Sequence, residues 1–394
     1  MTARWGRRLG WGSAVLIPLA FLSVFFAWPV AALIGRGFVQ DGAFSLEGFR
    51  FAFSSARTWR IIGLTLAQAV VGTVASVLLG VPGAYLLYRC RFPGRRLLRA
   101  VVGIPFVLPT VVVGVAFRAL LAEQGPLGFL GLDETFAAIV AALVFFNYAV
   151  IVRTVGGLWA HLDPRTAEAA RTLGASPARV FWSVTLPALG PAIASAGSLV
   201  FLFCASAFGI VMVMGGVRFA TIETEIWYQT TQLLDLGVAA ALSITQLVVV
   251  TASLLVANRA RARNERALRL RATISSEQRW RASRDWAPTL ITAVVVLGLL
   301  IAPMAVLVWR SLTSARGIGL DYYVLLAGTA DGALSAPVWE AVVLSLSTAA
   351  QATVIAVTLG VLVSLVVSRR PRSALGAGSL RVLDSLFMLP LGVS

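Results

Sequence analysis

The sequence predicts an all-α polytopic membrane protein, on three observations. Of its 394 residues 58% are hydrophobic and 13% charged, an apolar share above the roughly 45–50% of a soluble domain. Apolar stretches of the ~20 residues needed to cross a hydrocarbon core recur eight times, near 14–35, 62–88, 98–121, 136–159, 189–214, 237–257, 287–309 and 341–367. The charges gather between those stretches and are sorted by sign from one loop to the next.

The first stretch follows Arg4, Arg7 and Arg8. It exceeds the roughly 7–15 apolar residues of a signal-peptide core and no small-x-small site follows it, so it is expected to remain as an uncleaved span with a cytoplasmic N-terminus. That orientation places 25 arginines and 6 acids inside, against 8 and 11 outside, the positive excess of retained loops. The formal charge of +16 is therefore topological. The basic clusters Arg89–Arg99 and Arg259–Arg284 point to the lipid bilayer, and not to nucleic acid, as partner. All 33 basic residues are arginine; a Walker A loop needs a lysine, so an ATP site must lie in another chain. Cys90 and Cys204 fit no metal-ligand spacing and the single His161 has no partner ligand, which leaves no metal or catalytic residue to assign.

A shift of 280 residues places Trp59 on Trp339, Leu64 on Leu344, Gly80 on Gly360 and Arg89 on Arg369. With one residue inserted, Phe106, Leu108 and Pro109 fall on Phe387, Leu389 and Pro390. Self-similarity of this kind marks duplicated transporters. The expected organisation is two parallel homologous six-span halves. Residues 1–257 form the first, 258–286 an Arg-rich cytoplasmic connector, and 287–394 a second half truncated within its third span. The last apolar stretch runs from Val382 to Ser394, about half a crossing. A chain with one complete half is expected to be transport-incompetent alone, and a second Glu-Ala-Ala loop is expected about 281 residues after Glu168.

The loop 160–187 between the fourth and fifth spans encodes two short helices. Asp163 is a good N-cap with Pro164 at the first helical position, Glu168-Ala169-Ala170-Arg171 favours helix, and Gly174 is placed to end it. Ser176 and Pro177 repeat the start signal, and Pro187 closes the second helix or kinks it into the next span. Ala167, Ala169, Ala170 and Gly174 give the first helix small residues suited to close packing on a partner.

Glu168-Ala169-Ala170, three residues, Gly174, nine residues, a branched apolar residue, one residue, then Leu186-Pro187 is similar to the signature loop of type I binding-protein-dependent ABC importer permeases, with Val184 where isoleucine is usual. The resemblance implies that Glu168 to Gly174 form a coupling helix on a cytoplasmic ABC ATPase dimer. It further implies an extracytoplasmic solute-binding protein and a bacterial plasma (inner) membrane location. The chain is then no enzyme and holds no cofactor, with ATP and Mg bound in the partner ATPase.

Gln68, Asn147 and Gln246 are polar residues within spans, as pathway lining or as interhelical hydrogen bonds. Beyond the fifth span, Gly215-Gly216 forms a break and Thr221 to Gln229 reads as an outer helix. Its acidic face, Glu223 and Glu225, is expected to meet solvent or a binding protein as an outer gate. This stretch, with Arg91-Phe92-Pro93-Gly94-Arg95, looks like the permeases of thiamine or thiamine pyrophosphate importers. The duplicated plan also resembles ferric-iron importer permeases. Thiamine is the cargo favoured by resemblance, ferric iron the alternative. A rival class, an ion-coupled secondary transporter, calls for carboxylates at the bilayer midplane; none of the 17 acids lies well inside an expected span.

Overall fold

The computed structural model describes residues 16–40, 43–216, 218–267, 277–314, 317–326 and 337–367. Phe387, Leu389, Pro390 and the apolar stretch from Val382 lie outside the described residues. Among the described residues seven helices are long and apolar enough to cross a membrane, or eight spans if one bent pair counts as one. By internal contacts the chain divides into two compact units, one over 40–306 and one joining residues before 40 to those after 306.

The larger unit is built on four long helices: α3 (Ala56–Arg89), α6 (Phe136–His161), α8 (Pro177–Ala205) and α11 (Leu236–Ala267). All four start on side-chain caps: Ser55 Oγ accepts from Arg57 N at 3.2 Å, Thr135 Oγ1 from Ala138 N at 3.2 Å, Ser176 Oγ from Arg179 N at 3.3 Å and Asp235 Oδ1 from Val238 N at 3.0 Å, each satisfying an orphan donor of a first turn. Lipid tails are as apolar as leucine, so apolarity does not drive helices together in a bilayer; close packing of small residues does. The α3–α6 seam works this way. Gly80 and Gly83 of α3 lie under Ile151 and Tyr148, and Gly156 of α6 lies under the Tyr88 ring. A Cβ at Gly156 would sit 2.3 Å from that ring, and a planar ring packed at a seam cannot give way as a flexible side-chain end does. Gly156→Val is expected to force the helices apart at a cost of about 1–3 kcal/mol, read as a lowered unfolding midpoint in detergent.

The stretch expected as a single span over 98–121 is instead two helices, α4 (Arg95–Val107) and α5 (Thr110–Leu121), bent by 106°. The break falls at Leu108-Pro109, where both residues have extended ψ. The residue before a proline is pushed out of the helical region, and the proline has no N–H to continue the ladder. Twelve residues of α-helix reach only ~18 Å, so neither piece crosses alone. The span expected over 189–214 also differs: α8 ends at Ala205, and a separate short helix α9 (Gly209–Met214) packs against α5.

A small helix α2 (Glu47–Ser54) and α10 (Ile222–Thr231) both pack on α11. At the other end of the bundle the first part of α12 (Ala282–Leu312) lies along α3. A short parallel backbone pairing sets Cys90 and Arg91 beside Gln278 and Arg279, so the segment entering α12 is tied to the turn that leaves α3. Helix α12 begins at Ala282, inside the stretch 258–286 expected as a connector.

The smaller unit holds α1 (Leu16–Leu33), α13 (Asp321–Leu325) and α14 (Val338–Val367). Here Ser314 donates to Asp321, and Gly319 N donates to Leu312 O at 2.8 Å. No part of the apolar stretch of α14 is buried within the chain.

Candidate functional site

The loop after α6 folds as its punctuation dictates. Asp163 Oδ1 accepts from Arg165 N at 2.9 Å and starts α7 (Pro164–Thr172). The helix ends in a Schellman closure: Ala175 N reaches Ala170 O at 3.1 Å and Gly174 N reaches Arg171 O at 2.9 Å. Gly174 has φ +85°, a left-handed conformation open to glycine at little cost. Ser176 then caps the next start, its Oγ accepting from Arg179 N at 3.3 Å. Pro187 does not close the second helix, which runs on into the next span. The helix runs from Pro177 through a π-helical turn at Phe181–Thr185 into Leu186-Pro187 and on to Ala205. The wider turn just ahead of Pro187 accommodates the ring and the missing donor.

The two faces of α7 differ in what they meet. Pro164, Ala167, Glu168 and Arg171, spaced three or four apart, line a cavity of about 610 Å³ bounded by α3 and α12. Arg165, Thr166, Ala169 and Thr172 are exposed on the other side, continued by Leu173 at 88% exposure. Among the described residues nothing lies within 4 Å of a Cβ built on Gly174. A short helix thus presents Thr166, Ala169, Thr172 and Leu173, with the Arg165 guanidinium beside them, to whatever binds this end of the bundle.

The other sequence-nominated polar residues converge on the end of α8. Gln68 Nε2 donates to Cys204 O at 2.9 Å and Gln246 Nε2 to Ala205 O at 3.3 Å. Asn147 Nδ2 donates to Leu143 O at 2.9 Å and lies 3.4 Å from Cys204 Sγ. All three are buried. Cys204 and Ala205 carry two of the carbonyls that a helix end leaves without intrahelical partners, and glutamines from α3 and α11 satisfy them. In this conformation they are interhelical ties that hold the broken end of α8.

The acidic face of α10 is the clearest correction. It does not meet solvent: Glu225 is 4% and Glu223 8% exposed. Glu225 pairs with Arg57 at 2.8 Å and accepts from Gln229 at 2.8 Å, while Glu223 accepts from Gln246 at 3.0 Å. Thr65 Oγ1 accepts from Ile222 N at 3.0 Å. The two carboxylates fasten α10 across α3 and α11; the helical period of the segment was readable, but not which neighbours would turn its acids inward.

A second polar cluster lay outside the sequence reading. Asp285, at 0% exposure, accepts from Tyr85 Oη at 2.8 Å, from Arg284 Nε at 2.8 Å and from Arg281 N at 2.9 Å, and Gln278 Nε2 donates to the same Tyr85 hydroxyl at 2.7 Å. Nearby, burial pushes the Cys90 thiol up. The available signal was an acid followed closely by Pro288 at the entrance to an apolar span.

A bundle of membrane-length helices carrying a capped, rigid helix on an exposed loop is the build of a multi-pass transport component. The chain belongs to the family of binding-protein-dependent transport system inner membrane components, which matches residues 72–269, and is thus a type I importer permease of the inner membrane. A sulfate transport system permease of Salmonella typhimurium is 31% identical over 245 residues, covering 60% of this chain and 86% of the relative. A putative 2-aminoethylphosphonate transport system permease of Salmonella choleraesuis is 28% identical over 251 residues, covering 60% and 87%. In fold, the chain resembles a bacterial ABC transporter involved in the import of the acidic polysaccharide alginate, with TM-score 0.55 and 17% identity over 67% of this chain and 98% of that one.

Proposed function

We propose that this chain is the permease subunit through which a cytoplasmic ABC ATPase dimer drives import of a small anionic solute delivered by an extracytoplasmic binding protein. The observation that carries the reading is the loop 162–187. Its helix is capped at both ends, packs against the first turns of α8 and is free on its outer face, so a push on the exposed face is passed to α8. Glu168, Ala169, Ala170 and Gly174 belong to the lever, and Leu186 and Pro187 to its joint with the span. ATP and Mg belong to the partner, the chain itself holding no cofactor and catalysing no reaction. The N-terminus and this loop lie on the cytoplasmic side.

The gate, in this reading, is the break of α8 after Ala205. Gln68, Asn147, Gln246 and Glu223, with the Glu225–Arg57 pair beside them, serve there as its clasp rather than as a bare polar lining. A duplicated plan is supported by α14, which starts and ends close to where the 280-residue offset places a copy of α3. For cargo, relatives named for sulfate and 2-aminoethylphosphonate favour an oxyanion; they lend no support to thiamine or iron. Calorimetry on the system's solute-binding protein decides this. Micromolar or tighter binding of sulfate or a phosphonate is expected, and binding of thiamine or ferric iron with neither anion overturns the cargo assignment.

A further inference from the structure

The cavity behind α7 holds arginines to which the proposed coupling gives no role. Arg89 from the end of α3, Arg171 from α7 and Arg284 from the start of α12 all line it, with Glu168. Arg284 is already neutralised by Asp285 at 2.8 Å. Arg89 is half-buried, has Glu168 and Arg171 within charge–charge range, and among the described residues its guanidinium makes no hydrogen bond or ion pair; the same holds for Arg171. A guanidinium offers five donors in a fixed fork; Arg171 can turn its own to water, whereas Arg89, half withdrawn from water without an acceptor, is left unfavourably placed. Glu168 offsets one of these two charges, leaving one positive charge over. The remaining wall is mostly apolar and aromatic, with Val81, Ile291, Trp159 and Trp182, and takes in the polar Thr185 and Gln278.

We propose that this cavity is a phospholipid site in which Arg89 and Arg171 hold the phosphodiester of an anionic headgroup while Trp182 and Ile291 flank its acyl chains. A phosphodiester carries the single negative charge the cavity lacks, and arginine forks match its oxygens. The apolar wall suits a ligand with a tail better than a free ion. Basic pockets between membrane helices at the cytoplasmic face are the physical setting for such headgroups, and the proposed orientation puts this end there. A lipid seated here touches Glu168 and Arg171 on the inner face of α7 and leaves its outer face free.

The test is native mass spectrometry of the full chain taken from vesicles of equal phosphatidylglycerol and phosphatidylcholine. Preferential retention of phosphatidylglycerol is expected, falling roughly fivefold with Arg89→Gln and with Arg171→Gln, at about one surface-charge interaction each, and falling less with Arg89→Lys, which keeps the charge but loses the fork. Arg171 is exposed on α7, so its variant keeps the test available should Arg89→Gln not fold. Equal retention of the two lipids, or a preference unmoved by both glutamine variants, overturns the proposal. So does binding of millimolar inorganic phosphate with the same arginine dependence but no lipid preference, which would make the ligand a free anion.

Discussion

Gly174→Val is expected to lower the amount of ATPase that co-purifies with this chain about tenfold, with membrane insertion unchanged, and Gly174→Asn is expected to stay near the parent. The space around Gly174 is open, so the added atoms meet nothing. What the substitution opposes is the φ of +85°: a β-branched residue in the left-handed region costs about 1–2 kcal/mol, near tenfold in an equilibrium, whereas asparagine visits that region readily. That cost is set against the two backbone bonds from Gly174 and Ala175 that close α7. Loosening them releases the end of the lever just before Ser176 restarts the helix. A valine variant that binds ATPase like the parent would remove Gly174 from the coupling role.

Arg284→Ala is expected to destabilise the larger unit by about 3 kcal/mol, because it strips the ion-pair partner from a buried carboxylate. Asp285 then keeps Tyr85 and the Arg281 amide but no cation among the described residues. Asp285→Asn should cost less, since it leaves Arg284 two-fifths exposed and able to reach water. The double variant should cost less than the sum of the singles. Thermal unfolding in detergent reads the order; an asparagine variant worse than the alanine variant would mean the carboxylate is held by its hydrogen bonds and not by the pair.

Much of the molecule was legible because membrane helices announce themselves by length and apolarity and their ends by capping residues. Asp163, Gly174 and Ser176 do what their positions dictate. What failed to show was whatever depends on a neighbour. Leu108-Pro109 was visible as a motif, yet a continuous apolar run concealed that it turns the chain by 106°. Glu223 and Glu225 looked like a wet face because acids usually are; Arg57, more than 160 residues away, and Gln246 are what bring them inside. Asp285 sat two residues ahead of an expected span and was counted with the loop. Gln68 and Gln246 were recognised as unusual, but their partners are carbonyls freed by the end of α8, and nothing local marked that end before Gly215-Gly216.

The most direct test of the account is cross-linking from the outer face of α7. Cys90 and Cys204 are both buried, so a cysteine introduced at Ala169 reports without competition from either. With the ATPase present, Ala169→Cys and Leu173→Cys are expected to cross-link to it through a short thiol reagent, and Ala167→Cys, which faces the cavity, is expected not to. Uptake that runs on a proton gradient with no ATPase captured from position 169 or 173 would contradict the assignment of this loop as the coupling lever.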